Sequence, residues 1–259
     1  MLFLLEWNKL SKMVDSKELF AGRAEDYYKC RPSYPEEAID WLKSKVFGED
    51  VLDIGAGTGI FTQKLLSHFK NVSAVEPNSD MRRIFNAFFP EIYCFDCSGE
   101  DTKLPGKSFD LITVAQAFHW LDAKRFRQEA GRILRDDGKV AIIWNTELQN
   151  DFIVERNRIC QKYCPRFRSG HAGKLSAAEG DAFLRNEYFR EAEFIAFDNP
   201  FIMDLRVFEG NMRSRSYALG TQESDYCKFM AELRALFECY AENGIVAAPQ
   251  QTQIYLGIF

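Results

Sequence analysis

Residues 51–59 read VLDIGAGTG, and this stretch decides the fold. Its first four residues form an apolar segment typical of a buried strand, its three glycines form a tight turn, and residues 60–69 follow with the pattern of a helix. A strand, a glycine-rich turn and a helix in this order bring the main chain close to a ligand, because glycine has no Cβ to hold the ligand away. Glu76, at the end of the next predicted strand, supplies a carboxylate that can accept two ribose hydroxyls. The stretch therefore predicts a nucleotide-type ligand.

The spacing of the glycines selects among such ligands. The dinucleotide fingerprint is G-x-G-x-x-G, with a pyrophosphate at the helix start, but here the glycines fall at 55, 57 and 59 and Ile60 takes the last place. Asp53 stands two residues before the first glycine, where its carboxylate would repel a pyrophosphate and attract a cationic amino group. S-adenosylmethionine has such an amino group, a positive sulfonium and no phosphate. The charge of Asp53 therefore favours it over a nicotinamide or flavin cofactor.

Segments with the pattern of strands alternate with segments with the pattern of helices. The first strand is followed by predicted strands at residues 72–76, 91–95, 109–115 and 139–144, and by two closing strands at 194–203 and 253–259. Helices are predicted at residues 24–29, 35–46, 60–69, 81–89, 122–134 and 224–240. This order predicts an α/β, Rossmann-like, doubly wound sheet of seven mostly parallel strands, with helices on both faces.

Residues 146–190 break this alternation. They predict helices and loops, and an insertion after the fifth strand would stand over the carboxyl edge of the sheet as a helical cap. Residues 16–35 carry tyrosines next to two prolines and are predicted as an N-terminal lid. We therefore expect a single domain over residues 16–259, preceded by an extension, residues 1–15, for which disorder is one expectation.

The composition argues against several classes of function. The formal net charge is −5 over 259 residues, which does not suit a surface that tracks nucleic-acid phosphates. The seven cysteines have neither a disulfide-framework nor a zinc-ribbon spacing, and the three histidines are scattered, so we expect reduced thiols and no metal site. The apolar run of residues 1–5 is too short to cross a bilayer. We expect a cytoplasmic monomer or homodimer without nucleic-acid or membrane partners.

Several segments together resemble the motifs of the class I S-adenosylmethionine-dependent methyltransferases, in order and in spacing. The resemblance covers roughly residues 16–145. The segments are, in chain order, 51–59 for the first motif, 75–78 for the acidic ribose-binding motif, 98–101 for the adenine-contacting loop, 109–112 and 116–120 for the fourth motif, and 134–139 for the turn before the fifth strand.

The flanking segments resemble a branch with small-molecule substrates that includes the trans-aconitate methyltransferase-like proteins. These segments are Tyr27-Tyr28, Arg31 to Pro35, Gln116 to Trp120 and Arg215 to Tyr217. The resemblance implies transfer of a methyl group from S-adenosylmethionine to a small-molecule nucleophile, for which a carboxylate is one candidate.

The resemblance also implies which residues hold the cofactor. The backbone of the glycine turn would pass its methionine and ribose parts, Asp53 would lie near its amino end, and Glu76 would accept the ribose hydroxyls. Arg31 is expected near a carboxylate, closing over the cofactor with Tyr28. The cofactor residues implied in this way are Tyr28, Arg31, Asp53, Gly55, Ala56, Gly57, Glu76, Pro77, Asn78, Met81, Gly99, Glu100, Ala115, Gln116 and Ala117.

The acceptor is expected beyond the fourth strand, near His119 and Trp120. Methyl transfer from a sulfonium is an in-line displacement with a good leaving group, so the protein mainly aligns the reactants and excludes water. A base is needed only when the nucleophile must lose a proton, and His119 is the candidate catalytic residue for that step. A carboxylate acceptor needs no base, and the sequence leaves both cases open. The predicted substrate-pocket residues are Tyr27, His119, Trp120, Trp144, Arg215 and Tyr217.

Other functions also stay open. A protein or RNA methyltransferase would use the same cofactor, although the negative net charge and the lack of a recognisable RNA-binding module count against RNA. A non-catalytic regulatory protein would keep the fold and bind the cofactor without turnover. A dehydrogenase would bind NAD instead.

Overall fold

The computed structural model of the chain describes residues 24–167 and 177–259, with the side chains of residues 177–179 outside the description. The predicted extension, residues 1–15, and the first part of the predicted lid, residues 16–23, lie outside these ranges. Within the described ranges, no helix is both long enough and apolar enough to cross a membrane.

A seven-stranded sheet forms the centre of the protein. Its strands are β1 Asp50–Ile54, β2 Asn71–Val75, β3 Cys94–Phe95, β4 Phe109–Ala115, β5 Leu134–Glu147, β6 Glu191–Asp198 and β9 Gln250–Ile258. They lie in the order β3-β2-β1-β4-β5-β9-β6, and β9 alone among them runs antiparallel to its neighbours in the described sheet. Two short strands, β7 Phe201–Met203 and β8 Val246–Ala248, pair with each other outside this sheet. The predicted doubly wound, mostly parallel sheet is confirmed.

Helices cover both faces of the sheet, and others pack together apart from it. The α-helices of the described ranges are α1 Ala24–Cys30, α2 Glu36–Lys45, α3 Ile60–Leu66, α4 Ser79–Phe88, α5 Ala123–Ile133, α6 Asp151–Tyr163, α7 Ala177–Phe183, α8 Leu205–Arg213 and α9 Tyr226–Tyr240. Polar side chains start several of them: Asn78 accepts a hydrogen bond from the Met81 amide at α4, and Asp122 accepts from the Lys124 and Arg125 amides at α5. Such N-caps satisfy amides that have no partner inside the helix.

The core lies in two layers because successive side chains of a strand point to opposite faces. Leu52 and Ile54 of β1 pack in the layer that contains α5, whereas Val51 packs in the layer that contains α2 and α3. All three side chains are almost completely buried. This double coverage explains the continuous apolar runs of the parallel strands.

Several strand boundaries differ from the prediction. β5 begins at Leu134 rather than at residue 139, because Leu134 pairs with Phe109 before the register shifts and residues 135–138 bulge out of the ladder. β3 is only two residues long. The predicted closing strand at 194–203 is two strands, β6 and β7, separated at Pro200, which has no N–H for a ladder.

A separate apolar cluster lies at the carboxyl edge of the sheet, and we call the elements that form it, α6, α8, α9, β7 and β8, the cap. Its fully buried side chains include Phe152, Phe208 and Phe229. The cap therefore combines a segment that follows β5 with a longer segment between β6 and β9. Residues 183–189 fall in the range predicted for the cap, but they pack in the sheet layer that contains α5.

Glu129 of α5 fixes the loop at residues 98–104 that leads from β3 to β4. The Thr102 amide donates to its Oε1 at 2.8 Å, the Thr102 hydroxyl donates to the same atom, and Arg132 donates to both carboxylate oxygens at 2.7 and 2.9 Å. The hydrogen bonds from Arg132, followed by those from Thr102, outweigh burial and lower the pKa of Glu129 to about 2.

Replacing Glu129 with glutamine is expected to lower the free energy of unfolding at pH 7 by about 1–3 kcal/mol, since buried donors lose their ionised acceptor. A lowered pKa stabilises the fold above the unfolded value near 4.5, and this contribution is lost as the pH falls towards about 2. Denaturant unfolding at several pH values from 3 to 7 measures both effects. Glu187→Gln, a change at an exposed site, serves as the control, and equal pH profiles for the two variants would contradict the assignment.

Candidate functional site

A cavity of about 540 Å³ lies where the carboxyl ends of β1, β4 and β5 meet the cap. The glycine turn lines one side of it, and Phe201 and residues 215–217 line another. Open α/β sheets bind their ligands at the carboxyl ends of the strands, and small-molecule pockets have volumes of about 300–1,000 Å³. The cavity is therefore the candidate functional site.

The glycine turn needs glycine for its backbone conformation. Gly55, Gly57 and Gly59 have φ angles of +69°, +60° and +92°, in the left-handed region that disfavours other residues. A Cβ at Gly55 would overlap the Cβ of Ala117, and one at Gly59 would overlap the ring of Phe89. A Cβ at Gly57 would meet no described atom within 4 Å. Since Gly57 lines the cavity, a ligand can approach the backbone closely at this residue.

Asp53 lies at the end of β1 with only 1% of its surface exposed. Its carboxylate accepts hydrogen bonds from the hydroxyls of Thr62, at 2.6 Å, and Thr113, at 2.8 Å. Burial raises the pKa of Asp53 to about 6, although the two hydroxyls oppose the shift. Asp53 also lines the cavity, so a cationic group in the cavity would stabilise its ionised form.

Glu76 fastens the glycine turn to the end of β2. Its Oε2 accepts from the Gly57 amide at 2.8 Å, and its Oε1 accepts from the Asn78 amide at 2.7 Å. Burial raises its pKa, and these amides partly offset the rise. Glu76 therefore has a structural part in the site that spacing did not reveal: it sets the position of the Gly57 backbone.

The chain after β4 turns sharply into the cavity. Gln116 has a φ of +58°, and its side-chain Nε2 donates to the Asn145 carbonyl at 3.1 Å. A left-handed non-glycine residue costs about 1–2 kcal/mol and is characteristic of functional sites. The turn brings His119 and Trp120 to the cavity, with their ring centroids 4.8 Å apart.

Helix α1 is fixed to the cap through Arg31. Its Nε donates to the Ser214 hydroxyl at 2.8 Å, its Nη2 donates to the Ser214 carbonyl at 3.0 Å, and its guanidinium lies over the Tyr27 ring. Burial, together with the nearby charge of Arg215, lowers the pKa of Arg31 to about 10. Both Arg31 and Tyr27 line the cavity. Helix α1 and the cap thus meet at the cavity.

A cluster of charged side chains lies at the cap end of the cavity. Glu147, at the end of β5, accepts from both Nη atoms of Arg156 at 2.8 and 2.7 Å and from Nη2 of Arg215 at 2.7 Å. Burial would raise the pKa of Glu147, but the charges of Arg215 and Arg156 outweigh it and hold the pKa well below its usual range. Glu147 and Arg215 line the cavity, and Arg156 lies behind them with 5% of its side chain exposed.

The structure brings many of the predicted site residues together in this cavity. Those that line it are Tyr27, Arg31, Asp53, Gly55, Ala56, Gly57, Ala115, Gln116, His119, Trp120, Arg215 and Tyr217. Those that do not line it are Tyr28, Glu76, Pro77, Asn78, Met81, Gly99, Glu100, Ala117 and Trp144.

The residues outside the cavity have other contacts. Tyr28 stacks on Phe88 of α4 with a centroid distance of 4.0 Å, and Glu100 accepts a hydrogen bond from the Asp122 amide at 2.9 Å. Trp144 does not line this cavity either. Its partly buried ring packs edge to face on Phe118 and Tyr255, in the layer of the core that contains α5. Its place in the substrate pocket stays a prediction.

Sequence reasoning missed several residues that line the cavity. Asn145 and Glu147 follow the apolar part of β5, and their place at the carboxyl end of a parallel strand is a signal that points to the site. Thr58 lies inside the glycine motif itself. No sequence pattern pointed to Arg166, since it lies neither at a strand end nor in a motif and only the folding of the cap brings it to the cavity.

Known proteins match the region that builds this site. Residues 52–142, from β1 through most of β5, match a family model described as a methyltransferase domain. A methyltransferase-like protein of Schizosaccharomyces pombe, itself uncharacterised, is 30% identical over 234 residues, which cover 86% of this chain and 87% of that protein. This chain belongs to the class I S-adenosylmethionine-dependent methyltransferases. S-adenosylmethionine is the cofactor of that family.

This methyltransferase is also similar to a mycobacterial relative and to a protein of known structure. An uncharacterised methyltransferase of Mycobacterium tuberculosis is 39% identical over 127 residues, 49% of this chain, and the chain spans about half of that relative, 52% of its length. A provisionally assigned type II methyltransferase from Anaeromyxobacter dehalogenans has a solved structure with a TM-score of 0.56 and 23% identity. That likeness covers 88% of this chain and 95% of the other, and it shows the shared Rossmann-like fold.

Proposed function

We propose that this methyltransferase moves a methyl group from S-adenosylmethionine to a small-molecule nucleophile, as in the trans-aconitate methyltransferase-like branch, with a carboxylate as one candidate acceptor. The observation that carries the proposal is one cavity with two chemically different ends. The glycine turn and Asp53 lie at one end, and the arginines at the cap lie at the other. The first end suits the cofactor, and the second has room for an acceptor.

The residues at the turn end fit S-adenosylmethionine. The space beside Gly57 lets a ligand approach the backbone, and the buried carboxylate of Asp53 is complementary to the ammonium group. Each oxygen of Glu76 accepts one amide hydrogen bond and retains a further lone pair for a ribose hydroxyl. Arg31 can pair with the methionine carboxylate, since charge-assisted hydrogen bonds to a guanidinium are strong.

The residues of this chain mainly align the two reactants and exclude water from them, and acid–base chemistry has a minor part. S-adenosylmethionine provides a methyl group on a sulfonium whose sulfur leaves as a neutral thioether. Tyr34 and Phe61 pack edge to face on the cavity wall, and Trp120 lines the acceptor side, so apolar surface surrounds the reacting atoms. His119 would take a proton on a ring nitrogen when the acceptor is a phenol, thiol or amine. A carboxylate acceptor would not need this step.

The proposal is tested by incubating the protein with S-adenosylmethionine labelled in its methyl group and fractionated cell extract. Label in small metabolites is the expected result. Label in protein or in RNA would identify a macromolecular methyltransferase instead. Cofactor binding by calorimetry with no labelled product in any fraction would favour the non-catalytic regulatory protein.

The pH dependence of cofactor binding follows from Asp53. Its raised pKa stabilises the unliganded fold fully below the unfolded value near 3.8, and this contribution is lost as the pH rises through about 6. That contribution belongs to the protonated form of Asp53, whereas binding of an ammonium group requires its ionised form. The affinity for S-adenosylmethionine is therefore expected to fall below pH 6, by up to about tenfold per pH unit. Calorimetric titrations between pH 5 and 8 measure the profile.

The matched variant for this profile is Asp53→Asn, which keeps the size of the side chain and an acceptor oxygen for one of the Thr62 and Thr113 hydroxyls, while its NH₂ group faces the other. It should bind S-adenosylmethionine more weakly at pH 7.5 and show a flatter profile between pH 5 and 7. A variant whose profile parallels that of the native protein would rule out Asp53 as the titrating group.

A further inference from the structure

We propose that the cap end of the cavity is an anion-binding subsite, formed by Arg215 and Arg166 and held in place by Glu147, so that the acceptor carries a carboxylate or phosphate group. The inference rests on the proposed function and names the chemical class of its substrate.

Positive charge exceeds negative charge at this end. Arg31, Arg156 and Arg215 lie around Glu147, whose carboxylate is shared by Arg156 and Arg215. Arg31 donates to the hydroxyl and carbonyl of Ser214, which carry no charge. Among the residues that the structure describes, these three guanidinium groups and one carboxylate leave an excess of two positive charges.

In the described ranges, one other acid lines the cavity, and it does not lie at this end. Asp53 lies at the glycine turn, where it accepts from Thr62 and Thr113. S-adenosylmethionine adds a positive sulfonium and a positive ammonium against a single carboxylate, so the bound cofactor does not remove the excess. A positively charged, partly enclosed site is costly unless an anion enters it.

The arginines are held in position for such a ligand. Arg215 donates to Glu147 and to the side-chain oxygen of Asn211, yet 21% of its side chain remains exposed and it lines the cavity. The Glu147 side chain likewise keeps 26% of its surface exposed, and it also lines the cavity. Glu147 is thus a positioning residue that fixes the Arg215 guanidinium beside the cavity.

Arg166 adds a second cation at the same end. It follows α6, lines the cavity, and donates to the Ala218 carbonyl at 3.3 Å, next to Tyr217. Guanidinium groups recognise carboxylate and phosphate through paired N–H donors. An anionic group of the acceptor between Arg166 and Arg215 would complete the charge balance that the described side chains leave open.

The test measures binding of three small probes to the protein saturated with S-adenosylhomocysteine, by calorimetry at fixed ionic strength. Succinate tests a carboxylate, inorganic phosphate tests a phosphate, and succinamide is the neutral match of succinate. At least one anion should bind, and succinamide should bind at least about tenfold more weakly than succinate if the subsite takes carboxylates. Preference for succinate or for phosphate identifies which anionic group the acceptor carries.

Three variants test the arginines. Arg215→Gln and Arg166→Gln should each weaken the preferred anion by about tenfold or more. Arg234→Gln, which removes an exposed cap arginine paired with Glu209, should not. Since Arg215 belongs to a partly buried ion-pair cluster, its variant is first checked by thermal unfolding. Arg166 is exposed, so its variant is expected to fold and carries the test if Arg215→Gln does not.

The proposal is overturned if neither anion binds, or if Arg166→Gln binds the preferred anion as tightly as Arg234→Gln does. Failure of the proposed function gives a different result, because it appears in the labelling experiment as label in protein, in RNA or in no fraction, whether or not the anions bind. In Arg166→Gln the affinity for S-adenosylhomocysteine should stay unchanged while anion binding weakens.

Discussion

Replacing Glu76 with alanine is expected to lower the affinity for S-adenosylmethionine by about 100-fold, since hydrogen bonds to a buried charged group contribute roughly 1.5–3 kcal/mol each. The substitution removes the acceptor proposed for the ribose hydroxyls. It also removes the acceptor of the Gly57 and Asn78 amides, so the turn loses its anchor to β2. Calorimetric titration with S-adenosylmethionine measures the loss.

Two further variants separate the causes of that loss. Glu76→Gln keeps the shape of the side chain but turns one acceptor into an NH₂ group, which would face an amide donor, so its affinity should also fall by at least about tenfold. Glu91→Gln makes the same change of charge at an exposed site and should bind normally. Affinity of Glu76→Ala within threefold of the native protein would refute the role of Glu76 in the cofactor site.

The second large effect is expected from alanine substitutions in the glycine turn. Two of them should distinguish a loss of affinity for S-adenosylmethionine from a loss of folding stability. In Gly57→Ala the new methyl group points into open space beside the cavity, so the fold should lose only the left-handed backbone cost of about 1–2 kcal/mol. Its affinity for S-adenosylmethionine should fall by at least about tenfold, because the methyl group occupies space that the cofactor needs.

Gly59→Ala is the matched variant. Its methyl group would overlap the ring of Phe89, so overpacking adds about 1–3 kcal/mol to the backbone cost. Denaturant unfolding should therefore show a larger loss of stability in Gly59→Ala than in Gly57→Ala. The reverse order of stabilities, or native cofactor affinity in Gly57→Ala, would show that the cofactor does not lie against Gly57.

The sheet and the turn side of the site could be predicted because their signals are local. Glycine at 55, 57 and 59 is required by left-handed φ angles within one turn, and β4 was predicted with its observed bounds, Phe109–Ala115, because both faces of that strand are covered. Asn78 caps the start of α4 by accepting a hydrogen bond from an amide three residues along the chain. In each case a few neighbouring residues determine the conformation.

The acceptor side could not be predicted in the same way. The cap forms from two segments separated by β6, and no local pattern shows that Phe152 will pack with Phe208. Glu147 and Arg215 are 68 positions apart, so their ion pair depends on how the cap folds onto the sheet. Trp144 lies one residue before Asn145, which lines the cavity, and its side chain therefore points to the other face of β5.

The extent of strand β5 determines how far Glu147 lies from the end of β4. β4 ends level with Ile143, but β5 continues for four more residues to Glu147 and stays paired with β9 along that extension. At about 3.3 Å per residue, these four residues span roughly 13 Å. In the proposed reaction, this span would separate the level at which β4 ends from the charged group that holds Arg215. The size of acceptor that reaches from one to the other would then depend on where a single strand stops.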